Sequence, residues 1–591
     1  MVIIMDNRNI RTGRIIPLEG YCDQPYIVKT DDGAWLMTVT TGAGMEGASG
    51  QHVVSRRSFD RGESWQDEID VSPPDLPESS YSVLYKTKYG RIYCFYNYNA
   101  DNLRAVRADD PPFGGGLCRR VDTQGHFGFK YSDDHGKSWS DKYYEIPQRR
   151  FEVDRLNPYG GEILFFWNVG KPLELDGEVY VPIYKIRAFG EGFMRYSEGA
   201  LLHSDNIGSE RDPERLNWET LPDGDIGIRA SHEVSVISEE HSFVPLSDGS
   251  VFCVFRTVSG HPWCAYSRDK CHTFSQPELM RYANGRLMKH PRAANFIWKL
   301  DKDRYVYWFH NHSGQGYDDR NPAWLCGATE YLAEDGVRLA FGQPVPALYD
   351  DDPMIRMSYP DFVVDDGEYY ITETQKNVAR VHHIDRELIE GLFRQNENSG
   401  RMADAVPNAK SDSTSGMKSG AKSDEECQSS ALPIADRMPR LKPFSVRDNS
   451  SHDFHSISTD YSFTLSFSYE FGDESAVLFS TLVGSRGIEL CWNAEMSRLE
   501  LLCGDGQYLS CFWDDDLLLC RRGRHEIRIV FDGGVKAVYF VTDGIFCDGG
   551  EERQFGFTRF DRHMQSLNGL PSPSINKLSD LVYIEGIALY E

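Results

Sequence analysis

A glycine-rich loop near the start of the chain carries two side chains that could transfer a proton. The loop reads Thr41-Gly-Ala-Gly-Met-Glu46-Gly-Ala-Ser-Gly-Gln51-His52, and its four glycines would let the backbone come close to a bound ligand. Either the carboxyl group of Glu46 or the imidazole of His52 could protonate a leaving oxygen atom. The alternative is a flexible surface loop whose glutamate is merely solvated.

Other polar residues could line the same mouth. Arg120 and Asp122 lie in one short polar stretch, and a single asparagine separates His310 from His312. The histidines could bind a substrate, but we favour a role in capping a strand end. The sequence contains no HExxH, no paired CxxC, no P-loop and no GxGxxG between a strand and a helix, so we expect no metal ion and no cofactor.

Short apolar strands joined by tight turns surround these residues, and long helical periodicity is scarce. One pattern recurs six times: an apolar strand, an acidic or glycine-containing turn, and a second apolar or aromatic strand. The six turns are centred on Gly33, Gly90, Gly177, Gly249, Asp303 and Gly367. Each pattern predicts a β-hairpin in which glycine supplies the positive φ of a tight turn. Six hairpins predict a radial repeat, a six-bladed β-propeller of four-stranded blades over residues 10–395.

A second motif, S-x-D-x-G-x-x-W, lies between the hairpins. It occurs in full at Ser58–Trp65 and Ser132–Trp139, in altered form at Ser267–Phe274, and in a more decayed form over Ser204–Trp218. Its Ser and Asp can cap a turn, its Gly allows the turn, and its aromatic residue packs against a blade. We interpret the motif as structural and assign it no chemistry.

Composition divides the rest of the chain. Residues 396–440 are polar and small with almost no aromatic side chains, which predicts a disordered low-complexity linker. Residues 441–591 contain seven or more strand-like segments without the earlier repeat, which predicts a β-sandwich. The chain of 591 residues is therefore expected to be all-β, with a propeller followed by a sandwich.

Charge and cysteine content limit the partners and the compartment. The formal net charge is −27 and no basic arm or stripe is evident, which argues against a nucleic-acid partner. No apolar run approaches the roughly 18 residues that a membrane span needs. The thirteen cysteines show no paired spacing, and no secretory signal is recognisable. We therefore expect a cytoplasmic protein, or a secreted one if the N-terminus is incomplete.

The hairpins and the S-x-D-x-G-x-x-W motifs together resemble the sialidase (neuraminidase) superfamily. Proteins of that superfamily are six-bladed propellers with Asp-box, or BNR, repeats of this form, and many carry a concanavalin-like β-sandwich. The resemblance covers about residues 10–395. Residues 441–591 look like the concanavalin or laminin-G-like sandwiches, of jelly-roll type, that accompany glycosidases. The resemblance implies a glycoside hydrolase of exo-α-sialidase type.

Sialidases use a tyrosine nucleophile assisted by a glutamate, and the resemblance places these groups in two segments. The segment from Tyr359 to Glu373 matches the family layout, so Tyr359 resembles the nucleophile and Glu373 the carboxylate beneath it. In the segment that begins at Glu239-Glu240, one of the two glutamates would polarise the tyrosine. Arg256, at the end of the same hairpin, would bind a substrate carboxylate through its planar fork.

The family binds the substrate carboxylate with three arginines, and this chain departs from that pattern. Arg320, or its rival Arg292, would supply the third arginine. The first is missing, because Asp23-Gln-Pro stands where the family has Arg-Ile-Pro. Asp23 could instead be a catalytic carboxylate or bind a hydroxyl group.

The acid of the implied reaction has more than one candidate. The family's acid/base aspartate lies in the loop that here carries Glu46 and His52, and His52 or Arg120 could also contact the substrate. A tyrosine nucleophile would retain the anomeric configuration. A carboxylate pair, such as Asp23 with Glu46 or Glu240, could instead invert it through a water molecule, with the two carboxyl groups ~6.5–9.5 Å apart.

The leading hypothesis is an exo-acting glycoside hydrolase that removes a terminal acidic sugar, sialic acid or a related keto-deoxy sugar acid, from glycans. The second is a catalytically inactive propeller that binds glycans, because fold does not fix function. The third is a propeller that binds proteins. An enzyme requires Tyr359, Glu240, Arg256 and Arg320 to converge on one pocket.

Overall fold

A computed structural model describes residues 6–397, 457–514, 519, 522–570, 574–575, 578 and 580–590. Almost all of its regular structure is antiparallel β-sheet. The chain divides into two compact units, one spanning 1–280 and 287–390 and the other spanning 281–286 and 391–591. The predicted all-β fold class is confirmed.

Six antiparallel sheets form the blades of a β-propeller in the first unit. The elements up to the third blade are, in chain order, β1 (Arg14–Ile16), β2 (Tyr21–Lys29), β3 (Trp35–Gly42), β4 (His52–Ser58), β5 (Ile69–Asp70), β6 (Ser79–Lys86), β7 (Ile92–Tyr98), β8 (Val106–Arg107), β9 (Leu117–Cys118), β10 (His126–Ser132), β11 (Tyr144–Glu145), α1 (Glu152–Arg155), β12 (Phe166–Trp167), β13 (Leu173–Leu175), β14 (Glu178–Gly190), β15 (Phe193–Ser204) and β16 (Glu219–Leu221). Blade one is β2–β5, blade two is β6, β7, β10 and β11, and blade three is β12–β16; β8 and β9 form a separate ribbon.

The remaining blades follow the same plan. Their elements are β17 (Glu239–Pro245), β18 (Val251–Arg256), β19 (Trp263–Ser267), β20 (Glu278–Leu279), β21 (Phe296–Lys299), β22 (Arg304–Phe309), β23 (Ala323–Ala333), β24 (Gly336–Phe341), β25 (Val345–Leu348), β26 (Ser358–Asp365), β27 (Glu368–Thr374), β28 (Ala379–Ile384) and the helix α2 (Arg386–Glu397). Blade four is β17–β20, blade five is β21–β25, and blade six is β26–β28 with β1. Short 3₁₀ segments lie at Ile10–Thr12, Gly114–Gly116 and Pro213–Arg215.

The first strand closes the ring. β1 pairs antiparallel with β28, with Ile15 opposite Arg380, and so completes the last blade with a strand from the start of the chain. This closure ties the start of the chain to the last blade through backbone hydrogen bonds and leaves only the three-residue β1 as the outer edge of that sheet.

The innermost hairpin of every blade turns at the predicted position. The five predicted turn glycines have φ between 78° and 94°, a region that only glycine enters without strain. Four blades have four strands as predicted, while blades three and five each have a fifth. In blade three the innermost strand is interrupted, so that β12 and β13 both pair with β14. In blade five the outermost strand is likewise divided, so that β24 and β25 both pair with β23.

The S-x-D-x-G turns share one set of hydrogen bonds. In each, the serine hydroxyl accepts from the backbone N–H four residues later at 2.8 Å. The aspartate accepts from the N–H four residues beyond it at 2.9 Å. The altered copy that begins at Ser267 makes the same bonds even though Cys271 replaces the glycine, with φ 69°. The motif therefore builds a local turn, and its side chains are engaged in that turn.

The second unit contains two facing sheets with an apolar core between them. Its strands are β29 (Phe463–Phe471), β30 (Ala476–Ser480), β31 (Arg486–Asn493), β32 (Arg498–Asp505), β33 (Leu509–Asp514), β34 (Gly523–Asp532), β35 (Ala537–Thr542), β36 (Ile545–Phe546), β37 (Thr558–Arg559), β38 (Ser574–Ile575) and β39 (Val582–Glu585). One sheet runs β36-β35-β34-β29-β39 with β37 beside β35, and the other runs β33-β32-β31-β30-β38. Phe463, Trp492 and Phe531 belong to the buried core, so this unit is a β-sandwich.

The predicted linker over residues 396–440 lies almost wholly outside the described residues, and the predicted domain boundaries stay predictions. Among the helices that the structure describes, none is long and apolar enough to cross a membrane.

Candidate active site

Four of the six innermost strands break their pairing at the same place. The register shifts between Asp23 and Tyr26 in β2, and equivalent shifts occur near the starts of β6, β17 and β26. At each shift one residue adopts a left-handed backbone: Gln24 (φ 58°), Tyr81 (58°), Glu240 (53°) and Tyr359 (48°). Such conformations cost non-glycine residues about 1–3 kcal/mol and cluster at functional sites. In four blades, a strained residue therefore directs a particular side chain towards the same end of the propeller axis.

The loops that join the second and third strands of the blades open at the same end. They carry Glu46 in blade one, Arg120 and Asp122 in blade two, Arg320 in blade five and Lys376 in blade six. Arg256 stands at the end of the second strand of blade four. The same loop position therefore contributes to the site in several blades, and it carries a different polar residue in each of them.

Tyr359 and Glu240 are joined directly. The Tyr359 hydroxyl donates to Glu240 Oε1 at 3.0 Å, and both side chains are buried. Burial raises the pKa of Glu240 above its ordinary value, although the charge of Arg256 opposes the shift. Burial and the adjacent Glu240 also raise the pKa of Tyr359. The tyrosine is consequently a neutral phenol with a hydrogen-bond acceptor already in place.

Glu239 and Glu240 have different roles. Arg256 Nη2 lies 2.8 Å from Glu239 Oε2, and Arg256 Nη1 approaches Glu240 Oε2 to 2.6 Å without hydrogen-bond alignment. Arg292 Nη2 binds Glu239 Oε1 at 2.7 Å. Burial alone would raise the pKa of Glu239, but the charges of Arg292 and Arg256 overcome it and hold that pKa below its ordinary value. Glu239 is a counter-ion between two arginines, and Glu240 is the partner of Tyr359.

Arg320 is the cation of the site without a carboxylate partner. Its Nη1 donates to Ser358 Oγ at 2.9 Å and its Nε to Tyr317 O at 2.9 Å. It makes no ion pair with any carboxylate that the structure describes, although it is 4% exposed. Burial lowers the pKa of Arg320. A buried guanidinium left in this state is suited to receive an anionic group from outside.

Asp23 and Glu46 share one ammonium group. Lys376 Nζ lies 2.7 Å from Asp23 Oδ2 and 3.2 Å from Glu46 Oε2. It also lies 4.1 Å from the centre of the Tyr359 ring, which brings the tyrosine to the same cluster. Lys376 was not predicted from the sequence. The signal that could have identified it is a cation just after an apolar strand, similar to Arg256 at the end of β18.

The pKa values of the two carboxyl groups shift in opposite directions. Burial raises the pKa of Asp23, and the nearby Glu46 adds to this against the charge of Lys376. Burial would also raise the pKa of Glu46, but Lys376 and Arg120 overcome it and hold that pKa low. Asp23 Oδ1 accepts no hydrogen bond from any described residue. Asp23 can therefore carry a proton where Glu46 cannot.

Arg120 links this cluster to blade two. Its Nη2 lies 3.1 Å from Glu46 Oε1 and 2.8 Å from the Tyr81 hydroxyl, which donates to Asp122 Oδ2 at 2.7 Å. The Arg120 guanidinium also stacks over Phe193, with 4.8 Å to the ring centre. The sequence analysis did not identify Tyr81 either. Its left-handed backbone directs its hydroxyl group towards Arg120 and Asp122.

Two predicted residues lie apart from the cluster. Glu373 accepts from His382 Nε2 at 3.1 Å and from the Gln375 amide, so the carboxylate next to the Tyr359 hydroxyl is that of Glu240. His52 begins the third strand of blade one, where its Nε2 lies 3.6 Å from Asp70 Oδ1. Glu373 was predicted to lie beneath Tyr359, but β27 directs its side chain towards His382 on β28.

Comparison with known proteins gives a distant fold likeness. No protein-family model matches the chain, and no curated protein matches it. An intramolecular trans-sialidase from Ruminococcus gnavus is 14% identical with a TM-score of 0.42, over 62% of this chain and 95% of that one. A mutant of NanB sialidase from Streptococcus pneumoniae is 13% identical with a TM-score of 0.41, over 62% and 67%. Trypanosoma rangeli sialidase is 12% identical with a TM-score of 0.43, over 99% and 96%. The likeness is one of sialidase-like fold, and at these scores it assigns this chain neither a family nor an activity.

Proposed function

We propose that the protein is an exo-acting glycoside hydrolase of sialidase type that removes a terminal acidic sugar from a glycan with retention of configuration. The observation that carries the proposal is the 3.0 Å hydrogen bond from the Tyr359 hydroxyl to Glu240 Oε1, in a buried site beside Arg320. A nucleophile held by its base, with an oriented third group behind it, is the arrangement that covalent catalysis requires.

Tyr359 would attack the anomeric carbon while Glu240 takes the phenol proton. The raised pKa of Tyr359 means that the free phenolate is scarce, so a base within hydrogen-bond distance is needed. Arg256, 2.6 Å from Glu240 Oε2, would oppose the effect of burial and so favour the anionic form of Glu240 that accepts the proton. A neutral phenol also avoids the repulsion that a carboxylate nucleophile would feel from an anionic sugar.

Asp23 would be the general acid. Its raised pKa and its unoccupied Oδ1 suit it to donate a proton to the leaving oxygen. The low pKa of Glu46 makes that residue an anion that orients Lys376 and Arg120 instead. This assigns one role to each of the two carboxyl groups for which the sequence left the choice open.

Arg320 would bind the carboxylate of the sugar. The other cations of the site already face carboxylates, in the pairs Arg256–Glu239, Arg292–Glu239, Arg256–Glu240, Lys376–Asp23, Lys376–Glu46 and Arg120–Asp122. If Asp23 holds a proton, one positive charge remains for the substrate. That balance favours a substrate with a single anionic group near the anomeric carbon.

An inverting mechanism on a different sugar is the alternative. Asp23 and Glu46 do not suit it, because the Lys376 ammonium occupies the space between their nearest oxygens. Asp23 with Glu240 stays open as an inverting pair. A glycan-binding propeller without turnover is the other alternative.

A panel of aryl glycosides of sugar acids tests the proposal. N-acetylneuraminate, other keto-deoxy sugar acids and hexuronates should be compared with neutral hexosides, with release of the aryl group and the NMR configuration of the first-formed sugar as readouts. We expect hydrolysis of one acidic glycoside with retention, and no turnover by Tyr359→Phe. Saturable binding of the panel without hydrolysis would favour the binding propeller, and an inverted product would favour the carboxylate pair.

A further inference from the structure

The inner strands line a cavity beyond the candidate active site. It holds about 280 Å³ and is lined by residues from five of the six blades. Its wall begins at Pro360, next to Tyr359, and continues along the same strand to Val364, roughly 16 Å beyond Tyr359 at the rise of a β-strand. The cavity therefore lies towards the hairpin end of the propeller axis, and Tyr359 stands towards the other end.

Aromatic rings form part of the wall. Trp298 is half-buried, stacks on Phe296 with ring centres 5.8 Å apart, and packs at 5.7 Å against Phe362. The neighbouring rings hold the indole in one orientation. A fixed aromatic face in a concave site is suited to the C–H face of a ring-shaped ligand.

An unused acceptor lines the same cavity. Asp361 is 1% exposed, and its Oδ2 accepts from Lys171 Nζ at 2.7 Å and from the Ile27 N–H at 2.8 Å. Its Oδ1 accepts no hydrogen bond from any residue in the described part of the chain. A buried carboxylate oxygen in this state is costly unless a ligand or water donates to it.

Two ammonium groups stand at the cavity. Lys171 is paired with Asp361 and is 29% exposed. Lys299 Nζ donates to Pro245 O at 3.1 Å and has no carboxylate partner within the described ranges. The cavity thus offers the carboxylates of Asp361 and Glu174, two ammonium donors and an aromatic face in a volume that suits one ring-sized ligand.

We propose that this cavity is a second carbohydrate-binding site, which holds one sugar residue without cleaving it. A sugar hydroxyl would donate to Asp361 Oδ1, other hydroxyls would accept from Lys171 and Lys299, and the ring would lie against Trp298. A purely apolar ligand would leave the Asp361 oxygen unpaired, and a phosphate would face a carboxylate. The tyrosine-based reaction at the other end is not required, so the two proposals can fail separately.

Saturation-transfer NMR with methyl glycosides of common hexoses, N-acetylhexosamines and hexuronates tests the site in the full-length protein. We expect one of them to bind, and Trp298→Ala to weaken that binding about tenfold, as the loss of one stacked ring would. Trp513→Ala, which removes a half-buried tryptophan of the second unit, and Arg320→Gln should leave it unchanged.

Lys299→Gln serves as a milder second variant, because this side chain is half-buried and the substitution leaves the core intact. It should weaken binding with an unchanged melting temperature. The proposal is overturned if no methyl glycoside binds, if neither Trp298→Ala nor Lys299→Gln weakens binding, or if Arg320→Gln abolishes it.

Discussion

Lys376 Nζ lies 2.7 Å from Asp23 Oδ2, and this contact ties blade six to blade one at the candidate active site. Asp23 is fully buried in the innermost strand of blade one, and the lysine supplies a positive charge beside it. The same ammonium group contacts Glu46 at 3.2 Å. The Lys376 ammonium group is therefore the shared counter-charge of both carboxyl groups.

Lys376→Met should lower the free energy of unfolding by about 3–5 kcal/mol, because it leaves the buried Asp23 without a cation, next to a half-buried Glu46 that keeps only Arg120. Chemical denaturation measures the loss. Lys302→Met, at an exposed lysine, is the control and should cost almost nothing. Equal losses in the two variants would mean that water already solvates the pair.

Asp23→Asn should remove the alkaline limb of the pH profile of kcat/KM. Asp23 acts protonated, so the rate falls as pH rises through its pKa, which burial places above the ordinary carboxyl range. Glu240 acts ionised, so the rate rises with pH through its own raised pKa, and this acid limb should remain. The rate should fall by roughly 10²–10⁴ for poor leaving groups and by less for activated ones. An unchanged alkaline limb would assign the acid to another group.

Glu239→Gln should destabilise the fold by about 3–5 kcal/mol at neutral pH, because Arg292 loses its carboxylate and Arg256 loses one of two. The pKa of Glu239 is lowered in the fold, so its stabilisation is present above the ordinary carboxyl pKa and is lost as pH falls through the lowered value. The difference from wild type should shrink in acid. Exposed Glu233→Gln is the control, and a difference that grows in acid would contradict the assignment.

Arg320→Gln should cost about 2–5 kcal/mol of transition-state binding for an acidic glycoside, because the substrate carboxylate loses its partner. The same change should have little effect on any neutral glycoside that is cleaved. Arg119→Gln, at an exposed arginine close in sequence to the site residue Arg120, is the matched control. Equal losses on acidic and neutral substrates would show that Arg320 acts only through the fold.

The propeller was predictable because its turns are local. Glycine at position 33 or 367 reports a positive φ that few other residues adopt cheaply, and five such turns with a sixth at Asp303 define a ring. β13 is the first strand of the hairpin predicted at Gly177, and it counts as a fifth strand only because the innermost strand is broken between Trp167 and Leu173. β25 was not predicted, because it is only four residues long and pairs with β23 beside β24.

The site was predictable only in part. The resemblance to the sialidase layout singled out Tyr359, Glu240, Arg256 and Arg320, and these four side chains lie in one cluster, while their roles stay predictions. Lys376 was missed because its role depends on a contact with Asp23, more than 350 residues away in sequence. The left-handed bulges that aim the site residues leave no mark in the sequence, because each is imposed by tertiary pairing.

The most direct test of the central claim is the mass of the protein after reaction with an activated fluorinated sugar acid, which slows breakdown of a covalent intermediate. The account predicts a mass increase of one glycosyl unit, located by peptide mapping on Tyr359 and absent from Tyr359→Phe. The account would be contradicted if the Tyr359→Phe variant turned over substrate at the wild-type rate and the wild-type protein carried no adduct on Tyr359.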